Sequence, residues 1–187
     1  MSRIIERSAM NAPSPRLAAV VFDPMEPVDQ VIRDALNDFG QHRILGWLQG
    51  YVVDDSCDCS DIVLHAVQGQ RSRTITQNLG RESQGCRLDT AALAEVAGWL
   101  EADLAQQPDL LVLNRFGKTE AEGGGLRSVM EQAIAKDIPV LVPVNRKQLV
   151  FWRDYCADMA LELPLDAAAI ADWLHVTLNS DRLVASA

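Results

Sequence analysis

The tripeptide Gly117-Lys118-Thr119 matches the end of a phosphate-binding P-loop, and it follows the apolar run Leu110–Leu113. A working P-loop reads G-x-x-x-x-G-K-[ST], because its first Gly lets the backbone turn tightly enough for several N–H groups to converge on phosphate oxygens. Five residues before Gly117, where that Gly belongs, stands Val112, inside a run that should be extended. The fragment is therefore not a Walker A motif. What remains around it can still attract an anion. Arg115, Lys118 and Arg127, with Asn114, Thr119, Gly124 and Gly125, bracket a predicted helix start, where unbonded N–H groups and the helix dipole favour negative charge. Arg146, followed by Lys147, comes just after the next apolar run and would complete such a pocket. Cations in a helix's first turn oppose the dipole and so need a reason. The same residues also fit a plainer reading, in which glycines build a loop and the basic side chains neutralise Glu120, Glu122 and Asp137 on a solvated surface.

A second cluster is sulfur-based. Cys57 and Cys59 lie in DDSCDCSD among Asp54, Asp55, Asp58 and Asp61, whose charges should raise the thiol pKa values and oppose nucleophilic chemistry. Carboxylates do not oppose metal. Cys57, Cys59 and Cys86, with His65 as a further donor, form a candidate site for zinc or a softer ion, against which stands a loop with incidental cysteines, since structural zinc pairs are usually spaced C-x₂₋₄-C. Cys156, at apolar spacing on a helix, reads as a small buried hydrophobe. His42, His65 and His175 have no partner acid at a diagnostic spacing, and neither G-x-S-x-G nor H-E-x-x-H occurs. No catalytic residue is assigned. Trp47, Trp99, Trp152 and Trp173 are scattered singly and suit core filling or an oligomer contact.

Composition narrows the class further. The chain has 187 residues, 48% hydrophobic and 23% charged, with a net charge of −9. That balance fits one soluble globular domain and opposes non-specific attraction to nucleic acid or an anionic membrane. No run reaches the roughly 18 apolar residues of a membrane span, and the first residues lack a signal-peptide core, so a cytoplasmic setting is expected. Residues 1–16, ending in NAPSPR, read as a flexible leader, and 17–187 as a single α/β domain.

The elements that must position these groups alternate. Continuous apolar runs at Leu17–Phe22, Pro108–Asn114 and Ile138–Val144 predict strands buried on both faces, and Arg43–Val53 is rich in strand formers. Apolar residues at three- and four-residue spacing predict helices over Glu26–Phe39, from Asp89 or Thr90 to Leu104, over Gly125–Lys136, from Asn145 to about Asp158, and from Asp166 to about Leu178. The first β-α-β order implies a parallel pair with a right-handed crossover. Alternation around Gly69-Gln70, with Ile62, Leu64 and Ala66 before and Ile75 after, predicts a hairpin, and ALEL near residue 161 a short edge strand. The expected fold is a three-layer α/β sandwich with a mostly parallel sheet and an antiparallel hairpin excursion. In such a fold the ligand crevice lies at the carboxyl ends of the parallel strands, so the loops DPMEP, NRFGKTEAEGGG and PVNRKQ should converge.

The hairpin, the Gly85-Cys86-Arg87-Leu88-Asp89 turn before a long helix, and a strand ending in NRFGKTEAEG together resemble an uncharacterised bacterial family, domain of unknown function 2478, over roughly Leu17 to Pro164. The chain also looks like a distant relative of P-loop nucleoside-triphosphatases of the NTPase-1 type, which implies a P-loop-NTPase-like sheet. In those enzymes the first strand leads into the Walker A loop and a later strand ends in an acidic pair; here FDPMEPVDQ has no Gly, Lys, Ser or Thr, and Asn114-Arg115 replaces the acids. Without those groups the β- and γ-phosphates have no seat and Mg²⁺ loses an anchor, while Asp23 and Glu26 repel a triphosphate. The resemblance to the uncharacterised family, whose members are often encoded beside molybdate-uptake or nitrogenase-related functions, implies a link to oxyanion or metal handling. The expectation is a non-catalytic binding or regulatory protein holding an oxyanion such as molybdate or phosphate, a nucleotide, or a zinc-like metal. Its partners would be that small ligand and a second copy of itself, not nucleic acid or membrane. The competing expectations are a divergent nucleotide hydrolase or phosphotransferase, with Glu120 or Glu122 as base and Asp23 as metal ligand, and an oligomeric interaction subunit.

Overall fold

The computed structural model describes residues 15–54, 59–77 and 87–184. Strand β1 (Leu17–Phe22) shows how the sheet is built: its six apolar side chains are all buried, because alternate residues feed two separate cores. Leu17, Ala19 and Val21 enter the core beneath helices α2 (Thr90–Leu104), α4 (Arg127–Ala135) and α5 (Leu149–Cys156). Ala18, Val20 and Phe22 face α1 (Val28–Leu36) and α6 (Ala167–Val184). Two helical layers thus enclose one seven-stranded sheet, in the order β4-β3-β2-β5-β6-β1-β7.

The parallel part comprises β2 (Ile44–Asp54), β5 (Leu110–Val112), β6 (Val140–Asn145), β1 and β7 (Ala160–Leu163). β3 (Cys59–Ala66) and β4 (Ser72–Thr74) add the antiparallel excursion. The predicted architecture is therefore the observed one. The order of neighbours differs from the simplest β-α-β expectation, since β5 and β6 stand between β1 and β2. Periodicity fixes which face a residue occupies but not which strand lies beside it.

Side-chain caps set several helix starts as the sequence requires. The Asp89 carboxylate accepts the N–H groups of Ala91 and Ala92 at 3.0 Å each, Asn145 accepts that of Lys147 at 2.9 Å, and Asp166 that of Ala169 at 2.9 Å. The predicted helix after Gly125 is preceded by an extra turn, α3 (Lys118–Ala121).

β2 changes partners at Gly46. Up to Gly46↔Val112 it pairs with β5, and from Trp47↔Ala66 onward with β3. Gly46 has φ +140, and a Cβ there would stand 1.8 Å from the Val112 carbonyl oxygen, so only glycine permits the approach. Beyond it, β2 and β3 form a hairpin that runs past the end of β5 and makes one wall of the crevice described next.

Candidate functional site

The loop between β1 and α1 lies at the carboxyl end of a central strand, and it bonds three of its backbone N–H groups within itself. The Glu26 carboxylate accepts the Asp23 N–H at 2.6 Å, while the N–H groups of Glu26 and Val28 bond to Asp23 O and Glu26 O at 3.1 and 2.9 Å. Pro24 and Pro27 have no N–H to offer. Met25, at φ +79 and 98% exposed, forms the tip. Two carboxylates and two prolines are the opposite of a nest of convergent amides.

The loop leaving β5 carries Arg115, whose guanidinium is fixed from three sides. Nη2 donates to Asp29 Oδ2 at 2.5 Å, Nη1 to the Tyr51 hydroxyl at 3.3 Å, and the group lies 5.1 Å from the Phe22 ring centre. Asp29 in turn accepts the Gln49 N–H on Oδ1 at 2.7 Å. That N–H belongs to β2 just past the point where β5 has ended, so the carboxylate takes the place of a missing strand. The Gln49 side chain closes the network on Tyr51 at 2.6 Å. Asn114 Oδ1 and Arg115 Nε are buried beside it without a hydrogen-bond partner.

The glycine-rich segment has an internal anion. Glu120, buried in spite of its charge, accepts the N–H of Gly117 at 3.0 Å and of Leu126 at 3.2 Å. A Cβ on Gly125 would come within 2.1 Å of Glu120 Oε1, so Gly125 is glycine to admit that carboxylate. Thr119 contributes its carbonyl, which accepts the Gly124 N–H at 2.9 Å.

Each remaining candidate cation has an acid. Lys118 pairs with Glu122 at 3.6 Å on the surface; Arg127 pairs with Glu131 at 2.8 Å and lies 4.6 Å from the centre of the Tyr155 ring. Arg146 Nε sits 3.0 Å from both oxygens of Asp23. The Arg146–Asp23 pair ties the segment after β6 to the loop after β1, the Arg115–Asp29 pair ties the segment after β5 to α1, and the Phe116 N–H, bonded to Pro143 O at 2.9 Å, adds a backbone tie to β6. The Lys118 and Arg127 pairs stay within their own segments. Cys57 and Cys86 fall outside the described residues, as does the side chain of Cys59, whose backbone begins β3.

The principal hollow at the strand ends lies between α1 and the β2–β3 hairpin, with a volume of about 950 Å³. Asp29, Arg33, Tyr51, His65, Arg71 and Arg115 are among its walls, and Glu26 stands at its edge. Of the candidate binding residues, Arg115 alone lines it. Tyr51 and His65 come from the hairpin; their signal in the sequence was the polar alternation of two strands that outrun the parallel sheet. A smaller hollow of about 400 Å³ lies on the other side of the Glu26 loop, where Arg146 and Arg153 face Glu162. There the Arg153 hydrogen bond holds the Glu162 carboxyl below its usual range. Burial pushes the Tyr155 phenol and the Cys156 thiol upward, which leaves Cys156 an unreactive core residue.

The class this defines is a three-layer α/β domain with a mostly parallel, P-loop-NTPase-like sheet and a short turn bearing Asp23 and Glu26 after its first strand. The chain belongs to the family described as Protein of unknown function (DUF2478), whose model matches residues 17–173. It is 33% identical over 165 residues, 87% of its length, to the Molybdenum import ATP-binding protein ModC 2 of Bradyrhizobium diazoefficiens, and it spans 18% of that protein. Its fold is similar to the crystal structure of THEP1 from the hyperthermophile Aquifex aeolicus, with a TM-score of 0.58 over 88% of this chain and 95% of that one. At 8% identity that likeness concerns the fold alone. The family resemblance carried by GCRLD and NRFGKTEAEG is therefore correct. Among the described residues, no helix is long and apolar enough to cross a membrane.

Proposed function

We propose that this chain is a non-catalytic binding or regulatory module that holds a nucleotide-sized anionic ligand in the hollow between α1 and the β2–β3 hairpin. The observation that carries this reading is a hollow of about 950 Å³ at the strand ends with the guanidinium of Arg115 in its wall. Its volume falls in the range of small-molecule sites, and its position is where α/β sheets bind ligands. The non-catalytic part rests on the β1–α1 loop, which bonds the N–H groups of Asp23, Glu26 and Val28 within itself and whose carboxylates repel a triphosphate. A regulatory part is supported by the relative named for ATP binding and molybdenum import, in which the matching segment is 18% of a longer chain. That printed name also favours a second reading, in which the ligand is a metal-oxo anion such as molybdate.

Calorimetric titration with nucleotides, phosphate and molybdate tests both readings. Arg115→Ala should weaken binding by about ten- to a hundredfold, since a charge-assisted hydrogen bond is worth roughly 1.5–3 kcal/mol. Arg115→Lys should recover only part, lacking the planar fork. Circular dichroism of the variants guards against misfolding, because Asp29 loses its partner. Equal affinity in wild type and Arg115→Ala, or no binding by any of these ligands, refutes the reading. A Mg²⁺-dependent turnover that vanishes in Lys118→Ala refutes its non-catalytic part.

A further inference from the structure

We infer that the hollow selects a nucleoside monophosphate, a planar heterocycle carrying one compact oxyanion, and discriminates against the corresponding di- and triphosphates. The inference rests on the binding reading above and names the ligand class of the same site. Three observations carry it.

The first is size. A tetrahedral oxyanion fills a few water volumes of about 30 Å³ each. It would leave most of a hollow of about 950 Å³ to solvent.

The second is the character of the walls. His65, opposite Leu48 in the register, offers a ring from the hairpin face turned toward α1, which suits stacking of a planar heterocycle, while Tyr51, on the other face, reaches the rim by its hydroxyl on Arg115. Charge on the walls is spread thinly. Arg71 is committed to Asp103 at 2.8 Å and Arg115 to Asp29, whereas Arg33 forms no ion pair with a described residue. One guanidinium without an acid among the described residues suits one oxyanion and not a chain of three phosphates.

The third is the β1–α1 loop at the edge of the hollow. A triphosphate gains its affinity from convergent backbone N–H groups, and here those of Asp23, Glu26 and Val28 are already bonded within the turn while Pro24 and Pro27 supply none, which leaves the single N–H of Met25 and no convergent set. The carboxylates of Glu26 and Asp29 are both among the lining groups, so every phosphate added beyond the first brings more negative charge into a hollow whose wall already carries it. A like-charge contact at a solvated surface weakens binding by roughly a factor of ten.

The experiment is calorimetry on the full chain with adenosine, AMP, ADP and ATP, without and with Mg²⁺, repeated with the guanosine series. AMP or GMP should bind at least about tenfold more tightly than the matching triphosphate, and more tightly than the bare nucleoside. Glu26→Gln keeps the shape and the acceptor for the Asp23 N–H while removing the charge. It should shrink the gap between mono- and triphosphate to within about threefold. A triphosphate that binds as tightly as the monophosphate, or a gap untouched by Glu26→Gln, overturns the ligand class and leaves the binding reading standing. If no nucleotide binds while molybdate does, the class is wrong and the second reading holds. If nothing binds, both the class and the reading beneath it fall.

Discussion

Glu120→Ala should convert the chain's internal anion into an empty seat that an added anion can refill. In the native loop the carboxylate accepts two backbone N–H groups, from Gly117 at 3.0 Å and Leu126 at 3.2 Å, and only 8% of the residue is exposed. Each charge-assisted bond contributes roughly 1.5–3 kcal/mol, and water entering the vacated space offsets part of the loss, so the net cost should be about 3 kcal/mol. For a domain of this size that corresponds to a fall of roughly 6–12 °C in Tm. Glu120→Gln, with one acceptor retained and one turned to a donor, should lose about half as much. Thermal melts followed by circular dichroism measure both. The diagnostic arm is rescue: formate or acetate at ten times its dissociation constant returns about 1.4 kcal/mol to the Ala variant and nothing to wild type. A fall in Tm below about 2 °C, or equal stabilisation of both proteins by acetate, would refute the assignment of Glu120 as the anion of this loop.

Two further perturbations probe the frame around the hollow. Gly46→Ala should cost at least about 3 kcal/mol, because it adds positive-φ strain to a Cβ placed 1.8 Å from the Val112 carbonyl oxygen, and an unchanged urea midpoint would contradict that geometry. The Arg153–Glu162 pair, joined by two hydrogen bonds at 2.6 and 2.8 Å, should make stability pH-dependent. Glu162 is held below its ordinary value of 4.5, chiefly by the Arg153 hydrogen bond, so its contribution is whole above pH 4.5 and is lost as pH falls through the depressed folded value. The Tm gap between wild type and Arg153→Gln should therefore be widest near neutrality and close in acid. A gap constant across that range would sink the assignment.

Much of this fold is legible because burial on two faces leaves a strong imprint. VLVPV and LAAVVF are apolar at every position, which only a strand between two layers requires, and Asp89, Asn145 and Asp166 each stand where a helix needs an acceptor. The strand order was not legible, since β1 is flanked by β6 and β7, and nothing local in any of the three specifies the others. The site divides in the same way. Arg115 was visible as a cation just past a strand. Its partner Asp29 lies 86 residues away and, read locally, is only a polar position in a helix's first turn. Glu120, in contrast, did carry a signal: it stands three residues after Gly117, the spacing at which a side chain bonds back to a helix's leading N–H.

The charges at the strand ends explain why the proposed binding site rests on a cavity and not on a cluster of cations. Asp23 holds Arg146, Asp29 holds Arg115, and Glu120 holds the amides of the glycine loop, so each of the three loops already has its own anion. A bare oxyanion arriving at Arg115 must either displace Asp29, exchanging one charged hydrogen bond for another, or share the guanidinium with it against like-charge repulsion. Displacement would also strip the Gln49 N–H of its acceptor. Neither route yields much net affinity from charge alone. A ligand gains where it also brings surface that water leaves on binding, and the ring of His65, on the hairpin face turned toward α1, supplies a place for it. On the proposed reading, the absence of a glycine-rich phosphate loop after β1 moves the expected source of affinity from polyphosphate charge to the body of the ligand, with Arg115 proposed to orient a single anionic end.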